Sequence, residues 1–171
     1  MAAVGYARVS KEDREQETIQ NQRILIEGHC KLHNVSLGEI YFDDDVSGVA
    51  PIERRPEGRR LIQDAQRRQF DTIFIYKLDR IGRDARLILN LVSQLEDLGI
   101  RLVSLKDGES IDTASPNGRL MMTILAGFAG FERDCILQRT RDGAERVAAE
   151  GTYMGGIVPF GYRRVGERRA C

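Results

Sequence analysis

After the loop GESIDTASPNG (108–118), nothing obliges a helix to stop before Gly143, and the sequence around that glycine continues helical to about residue 150. Apolar residues fall at 120–122, 124–125, 128, 131 and 135–137, a broad helical face. Past residue 139 the segment turns polar, as RTRDGAERVAAE. A helix over 117–150 is on the order of 50 Å long at ~1.5 Å per residue, longer than a domain of this size can cover. Its apolar first half is expected to lie on the domain or on a partner subunit, with the charged second half projecting away. A long apolar helix with incomplete cover points to oligomerisation.

Upstream of that helix the periodicity alternates. AVGYARV (3–9), EIYFDD (39–44), TIFIYK (72–77) and IRLVSLK (100–106) read as strands. TIFIYK is short, continuous and β-branched, as a fully buried strand should be. Between them, TIQNQRILIEGHCKLHN (18–34), PEGRRLIQDAQRRQ (56–69) and DARLILNLVSQLEDLG (84–99) read as amphipathic helices. The second opens on a proline suited to a first helical turn, and the third ends on a glycine suited to a helix stop. The order β-α-β-α-β-α-β predicts an α/β fold class with a mostly parallel, four- to five-stranded sheet flanked by helices. Residues 1–115 then form the α/β domain and 116–150 the long oligomerisation helix. The glycine-rich, basic tail GTYMGGIVPFGYRRVGERRAC (151–171) reads as a linker and the start of something else.

Composition excludes several classes. No apolar run approaches the ~18 residues a membrane span needs, and the N-terminus lacks a signal peptide's apolar core, so a cytoplasmic protein is expected. Cys30, Cys135 and Cys171 have no CxxC spacing, which does not suggest a disulfide framework. His29 and His33 lie four apart on one expected helix with no third ligand in register, so no metal site is expected there. The net charge is zero, which argues against a protein that holds nucleic acid by bulk attraction alone. Yet only four of the 26 basic residues are lysine. Arginine's planar fork pairs bidentately with phosphate, so the bias leans toward phosphate chemistry, although a GC-rich genome produces it too.

The chemistry-bearing residues gather at one edge of the expected sheet. Strand side chains alternate, so Tyr6, Arg8 and Ser10 project from the same side, with Ser10 at the strand's C-terminal end, where open parallel sheets bind ligands. KLDRIGRD (77–84) places Asp79, Arg80 and Arg83 where the third strand hands over to its helix. Arg54 and Arg55 precede Pro56 on a neighbouring loop. That set reads either as a capping aspartate with solvated arginines, or as several arginines converging on one serine. Guanidiniums buried together repel, so a converging cluster calls for a polyanionic ligand. There is no GxSxG elbow and no histidine at this edge to act as base, which argues against a serine hydrolase. GxxxxGK[ST] and GxGxxG are both absent, so nucleotide cradling lacks support. A serine attacking a phosphodiester among guanidiniums fits better.

GYARVS at the start, SG and RRP in the middle, LDRIGRD after the third strand and FERDCILQRTRDG in the long helix together resemble the serine recombinases, the resolvase/invertase superfamily. The likeness covers about residues 3–150. It implies a site-specific DNA recombinase whose Ser10 nucleophile joins a DNA 5′ phosphate, followed by strand exchange and resealing without ATP, metal or other cofactor. Arg8, Arg55, Arg80 and Arg83 match the family's active-site arginines, and Asp79 matches its acidic partner. Tyr6, Gln22, Ser47 and Gly48 fall on family positions, Ser47 and Gly48 expected on the DNA side. Arg133 and Arg139 match arginines of the long helix that the family uses for dimerisation and for crossing the minor groove. The implied partners are double-stranded DNA at specific sites and further copies of the chain, a homodimer that becomes a tetramer in the synaptic complex; no membrane or nucleotide partner is implied. The tail resembles the junction at which large serine recombinases, of phage integrase or transposase type, pass to their DNA-binding domain, implying a bacterial or phage origin. Gln138 departs from the glutamate common in small resolvases, which bears on how long helices pack. Two other readings stand beside this one: a catalytically silent oligomerisation or regulatory domain, and a phosphate- or nucleotide-binding module of flavodoxin type.

Overall fold

The computed structural model describes residues 2–10, 18–107, 111–150 and 160–161. The chain divides into two compact units, residues 1–130 and 131–171. Its elements run β1 (Ala3–Val9), α1 (Ile19–Leu32), β2 (Leu37–Asp44), α2 (Pro56–Gln66), β3 (Thr72–Ile75), α3 (Ala85–Asp97), β4 (Arg101–Ser104), β5 (Ile111–Asp112) and α4 (Pro116–Ala149). The sheet order is β2-β1-β3-β4-β5; the first four strands are mutually parallel and β5 pairs antiparallel with β4.

Each helix starts where the sequence supplies a partner for its first free N–H groups. Thr18 accepts from the Asn21 N–H at 3.2 Å to open α1, and Asp84 accepts from the Arg86 N–H at 2.8 Å to open α3. Pro56 stands at the head of α2, whose Glu57 and Gly58 N–H groups donate to the Asp43 carboxylate at 3.0 Å each. Gly99 follows α3 with φ +73, a left-handed turn that glycine adopts without strain. These contacts leave the sheet's period of two to decide the layers. Val4, Tyr6, Ile73, Ile75 and Leu102 face α2 and α3, joining Leu61, Ile62, Leu91 and Leu95 in the larger core. Ala3, Phe74 and Val103 face the other way, onto Ile26 and Cys30 of α1. β1 lies between two neighbours under helices on both faces, and all seven of its residues are buried.

The expected α/β class and the four parallel strands are as read. Some details differ, β4 ending at Ser104 rather than Lys106 among them. β3 stops at Ile75, and Leu78–Arg80 coil into a tight 3-10 turn, so the segment read to Lys77 as strand is shorter. A further 3-10 turn, Ile52–Arg54, lies in the loop before α2. The stretch read wholly as loop contains β5, whose two residues pair with Val103 and Ser104. A strand that short carries no detectable alternation.

Within the first unit, α4 packs Met122 and Ala129 inward, with Met121 and Leu125 partly buried, while Leu120, Ile124 and Phe128 are 60%, 45% and 65% exposed. In the second unit, residues 131–149 are helical and expose Phe131, Ile136 and Leu137. There Gln138 donates its side-chain amide to Asp142 at 2.7 Å, one turn on. The expected linker at 151–171, including Cys171, lies outside the described residues except for Phe160 and Gly161. No described helix is long and apolar enough to cross a membrane.

Candidate active site

Because β2, β1 and β3 are parallel neighbours, their C-terminal ends open on one edge, and the chain leaves each toward a different part of the site. β1 delivers the row Tyr6, Arg8 and Ser10, which are 0%, 0% and 7% exposed. β2 exits into the loop at 45–50. β3 exits into the Leu78–Arg80 turn. Ser10 is met by Arg83, whose Nη2 donates to the serine Oγ at 3.5 Å. The row read from alternation is therefore present, and it is joined by the arginines expected beside it.

Much of what holds those arginines is main chain, with the expected Asp79 beside it. Arg8 donates from Nε to the Arg80 carbonyl at 3.1 Å, from Nη1 to the Val46 carbonyl at 2.8 Å and from Nη2 to the Asp79 carbonyl at 3.2 Å. Arg55, 1% exposed, donates to the carbonyls of Ala50 (2.8 Å), Arg80 (2.7 Å), Gly48 (3.5 Å) and Ile81, and to the Tyr6 hydroxyl at 2.9 Å. Arg80 closes the set, donating from Nη1 to the Arg8 carbonyl at 3.1 Å and pairing through Nε and Nη2 with the Asp79 carboxylate at 2.9 and 2.7 Å. By sequence, a converging cluster calls for a polyanionic ligand; in the folded chain main-chain carbonyl dipoles also stand among its partners, and a buried charge is tolerated when hydrogen bonds replace its water. Of Arg54 and Arg55, the second is the inward one, and Arg54 is exposed.

The remaining expected residues fall into two groups. Gln22, 1% exposed, accepts from the Arg8 N–H at 3.2 Å and donates to the Arg8 carbonyl at 3.0 Å, so α1 clamps the end of β1 as another strand would. A methyl group on Gly48 would lie 2.9 Å from Arg8 Nη2 and 3.0 Å from Arg83 Cγ, so an added carbon crowds the buried Arg8 guanidinium and presses on Arg83. Its carbonyl also accepts the Arg83 N–H at 3.2 Å. Ser47 is exposed and shapes the same loop, its hydroxyl accepting from the Val49 N–H at 3.4 Å. Asp79 is half-exposed beside the buried Arg80. Arg133 and Arg139 lie on exposed positions of α4 in the second unit. His29 of α1 and His33, just past its end, have ring centroids 4.4 Å apart.

Sequence reading missed Asp43. It is 2% exposed and accepts from the Tyr6 hydroxyl at 2.9 Å as well as from the head of α2. Its signal was the acid run DDD at 43–45, in which strand alternation turns 43 inward and 44 outward. Burial, and then the Asp43 charge against the opposing pull of Arg55, pushes the Tyr6 hydroxyl well above its usual range. In the folded chain it stays protonated, while in the unfolded chain it ionises near pH 10. Stability is therefore fully present below about pH 10 and is lost as pH rises further, by up to about 1.4 kcal/mol per unit from this group. Urea melts between pH 9 and 11.5 are expected to show a shallower decline for Tyr6→Phe than for the parent. Equal slopes would remove Tyr6 from the alkaline response.

Comparison with known proteins places this geometry. The family model described as resolvase, N-terminal domain, matches residues 3–153. The DNA-invertase of Escherichia phage P1 is 36% identical over 156 residues, covering 91% of this chain and 75% of the relative. The Tn552 resolvase of Staphylococcus aureus is 33% identical, over 89% of this chain and 70% of its own length. Among solved structures, the N-terminal catalytic domain of TP901-1 integrase superposes with a TM-score of 0.70 at 33% identity, covering 79% of this chain and 98% of that one. A resolvase-family recombinase from Streptococcus pneumoniae shares the fold with a TM-score of 0.71 at 23% identity, over 87% and 99% of the two chains. The chain thus has counterparts along nearly its whole length, and it belongs to the resolvase family, carrying the catalytic domain of a serine site-specific DNA recombinase.

Proposed function

We propose that Ser10 is the nucleophile that cuts DNA. The observation that carries this is the serine's position at the end of β1, with the Arg83 guanidinium on its Oγ and Arg8 and Arg80 behind it. In the proposed step the Ser10 Oγ–phosphorus bond forms and the bond from phosphorus to the 3′ oxygen breaks. The serine gives up its proton, and the departing strand end gains one as a 3′ hydroxyl. Guanidiniums held in place before substrate arrives stabilise charge on the phosphoryl oxygens without reorganising. The 5′-phosphoserine ester stores the bond energy, so the 3′ hydroxyl of an exchanged strand reseals it without ATP or another cofactor. Arg80 and Arg83, with Asp79 beside them, are the groups placed to meet the phosphate. Tyr6, Gln22 and Arg55 act through the cradle as positioning residues, and Arg8 links cradle and serine. Incubating the full gene product with a supercoiled plasmid bearing its recombination sites, quenching and digesting is expected to yield a DNA-linked peptide on Ser10. No adduct with the sites verifiably bound moves the reading to the silent regulatory domain.

The long helix supplies the rest. Residues 1–115 form the catalytic part, 116–150 the dimerisation and DNA-crossing helix with Arg133 and Arg139 toward DNA, and 151–171 a linker to a DNA-binding domain. The apolar side chains on α4 are covered by a second copy, giving a dimer and, with two sites joined, a tetramer. Ile124→Glu with Phe128→Glu introduces two buried charges at that contact. Sedimentation is expected to show at least a tenfold weaker self-association for this variant, with an unchanged melting midpoint at dilutions where both proteins are monomeric. Unaltered self-association would exclude this face.

A further inference from the structure

The Leu78–Arg80 turn carries Asp79 and Arg80, and its carbonyls, with that of Ile81, hold Arg8 and Arg55. Whatever fixes this turn fixes the cradle. The turn has no cap from its own leading residue, Lys77. Its first N–H, that of Leu78, instead donates to Oδ2 of Asp107 at 2.7 Å, and the same oxygen accepts from the Ser104 hydroxyl at 2.5 Å. Ser104 ends β4 and is fully buried. The chain between them is fastened to the exit of β3, with the Leu105 and Lys106 N–H groups donating to the Ile75 and Tyr76 carbonyls at 3.0 Å each. A carboxylate from one strand exit thereby caps the turn of the next.

We propose that Asp107 is a positioning residue for DNA cleavage, holding the turn that presents Asp79 and Arg80, with Ser104 aiming its carboxylate. This rests on Ser10 being the nucleophile. A free carboxylate is a strong acceptor for a turn's first N–H, as at helix N-caps. Without it the turn pivots about Lys77, shifting the carbonyls that hold Arg8 and Arg55 and the Arg80 guanidinium together. Misplacement on that scale slows a positioned reaction steeply while leaving binding energy elsewhere intact.

The test is the single-turnover rate of Ser10–DNA adduct formation at saturating site DNA, with DNA affinity and thermal midpoint measured on each protein. Asp107→Ala is expected to slow adduct formation at least tenfold with DNA affinity within twofold. Asp107→Asn is expected to recover to within threefold of the parent, because both donors meet one oxygen and an amide carbonyl accepts both. Asp107→Ala cleaving within twofold of the parent overturns the proposal, and so does an Asn variant that folds but cleaves as slowly as Ala. Should Asp107→Ala fail to fold, Ser104→Ala, which removes one donor to the same oxygen, is expected to slow cleavage at least threefold, and an unchanged rate overturns the proposal. A parent that forms no adduct on Ser10 instead strikes the underlying reading.

Discussion

Ser10→Ala protein is expected to fold and self-associate as its parent does, and to form no covalent link to DNA. The expected effect is complete because, in the proposed step, the Ser10 Oγ is the atom that takes the phosphoryl group. Tyr6, the other hydroxyl of the row, is fully buried, with its proton committed to Asp43. The structural cost is small. The hydroxyl's contact with Arg83 is long, at 3.5 Å, and each typical hydrogen bond lost costs about 0.5–1.5 kcal/mol. Quenched reactions on nicked or mismatched site DNA, resolved under denaturing conditions, separate the outcomes. An adduct on the alanine protein equal to the parent's would remove Ser10 from the chemistry.

Arg55→Ala is expected to act in the opposite way, mainly on the fold. Its guanidinium is the shared partner of four main-chain carbonyls and of Tyr6, all at one buried point. The Arg80 and Gly48 carbonyls keep donors in Arg8 and Arg83, and Tyr6 keeps Asp43, but the Ala50 and Ile81 carbonyls lose the guanidinium, at about 1–3 kcal/mol for each acceptor left without a partner and without water. A loss of about 2–4 kcal/mol is expected, against a total stability of about 5–15 kcal/mol for a domain. Urea titration reads this directly, and cleavage should be lost in step with structure. If Arg55→Ala keeps its stability within about 1 kcal/mol yet cannot cleave, Arg55 touches the phosphate and the carbonyl cradle is not its principal role.

Much of this was legible beforehand for identifiable reasons. Tyr6, Arg8 and Ser10 share a side because strand geometry leaves no choice, and the parallel sheet followed from strands separated by helix-length segments. Pro56 marked the start of α2, and Arg55 stands immediately before it, where the helix head meets β1. What stayed hidden has a common cause. Many of the groups that hold Arg8 and Arg55 are carbonyls, those of Val46, Gly48, Ala50, Asp79, Arg80 and Ile81, and a main-chain acceptor has no signature in the sequence. The arginines and the acidic partner Asp79 were legible; the main-chain acceptors beside them were not. Asp43 and Asp107 were missed because each serves an element remote in sequence, α2 and the 78–80 turn respectively.

Since the cradle is built from the main chain, it does not depend on the side chains carried by most of the residues that compose it. Val46, Ala50 and Ile81 can exchange for residues of similar bulk while their oxygens stay where they are. The positions that cannot drift are those that set the path of the chain: Gly48 under the two guanidiniums, and the parallel strand ends that bring three loops together. A library that varies the loop at 45–50 to retune DNA contacts therefore has wide latitude at 46, 49 and 50. It should be least tolerant at 48, where a single added carbon presses on the arginines themselves.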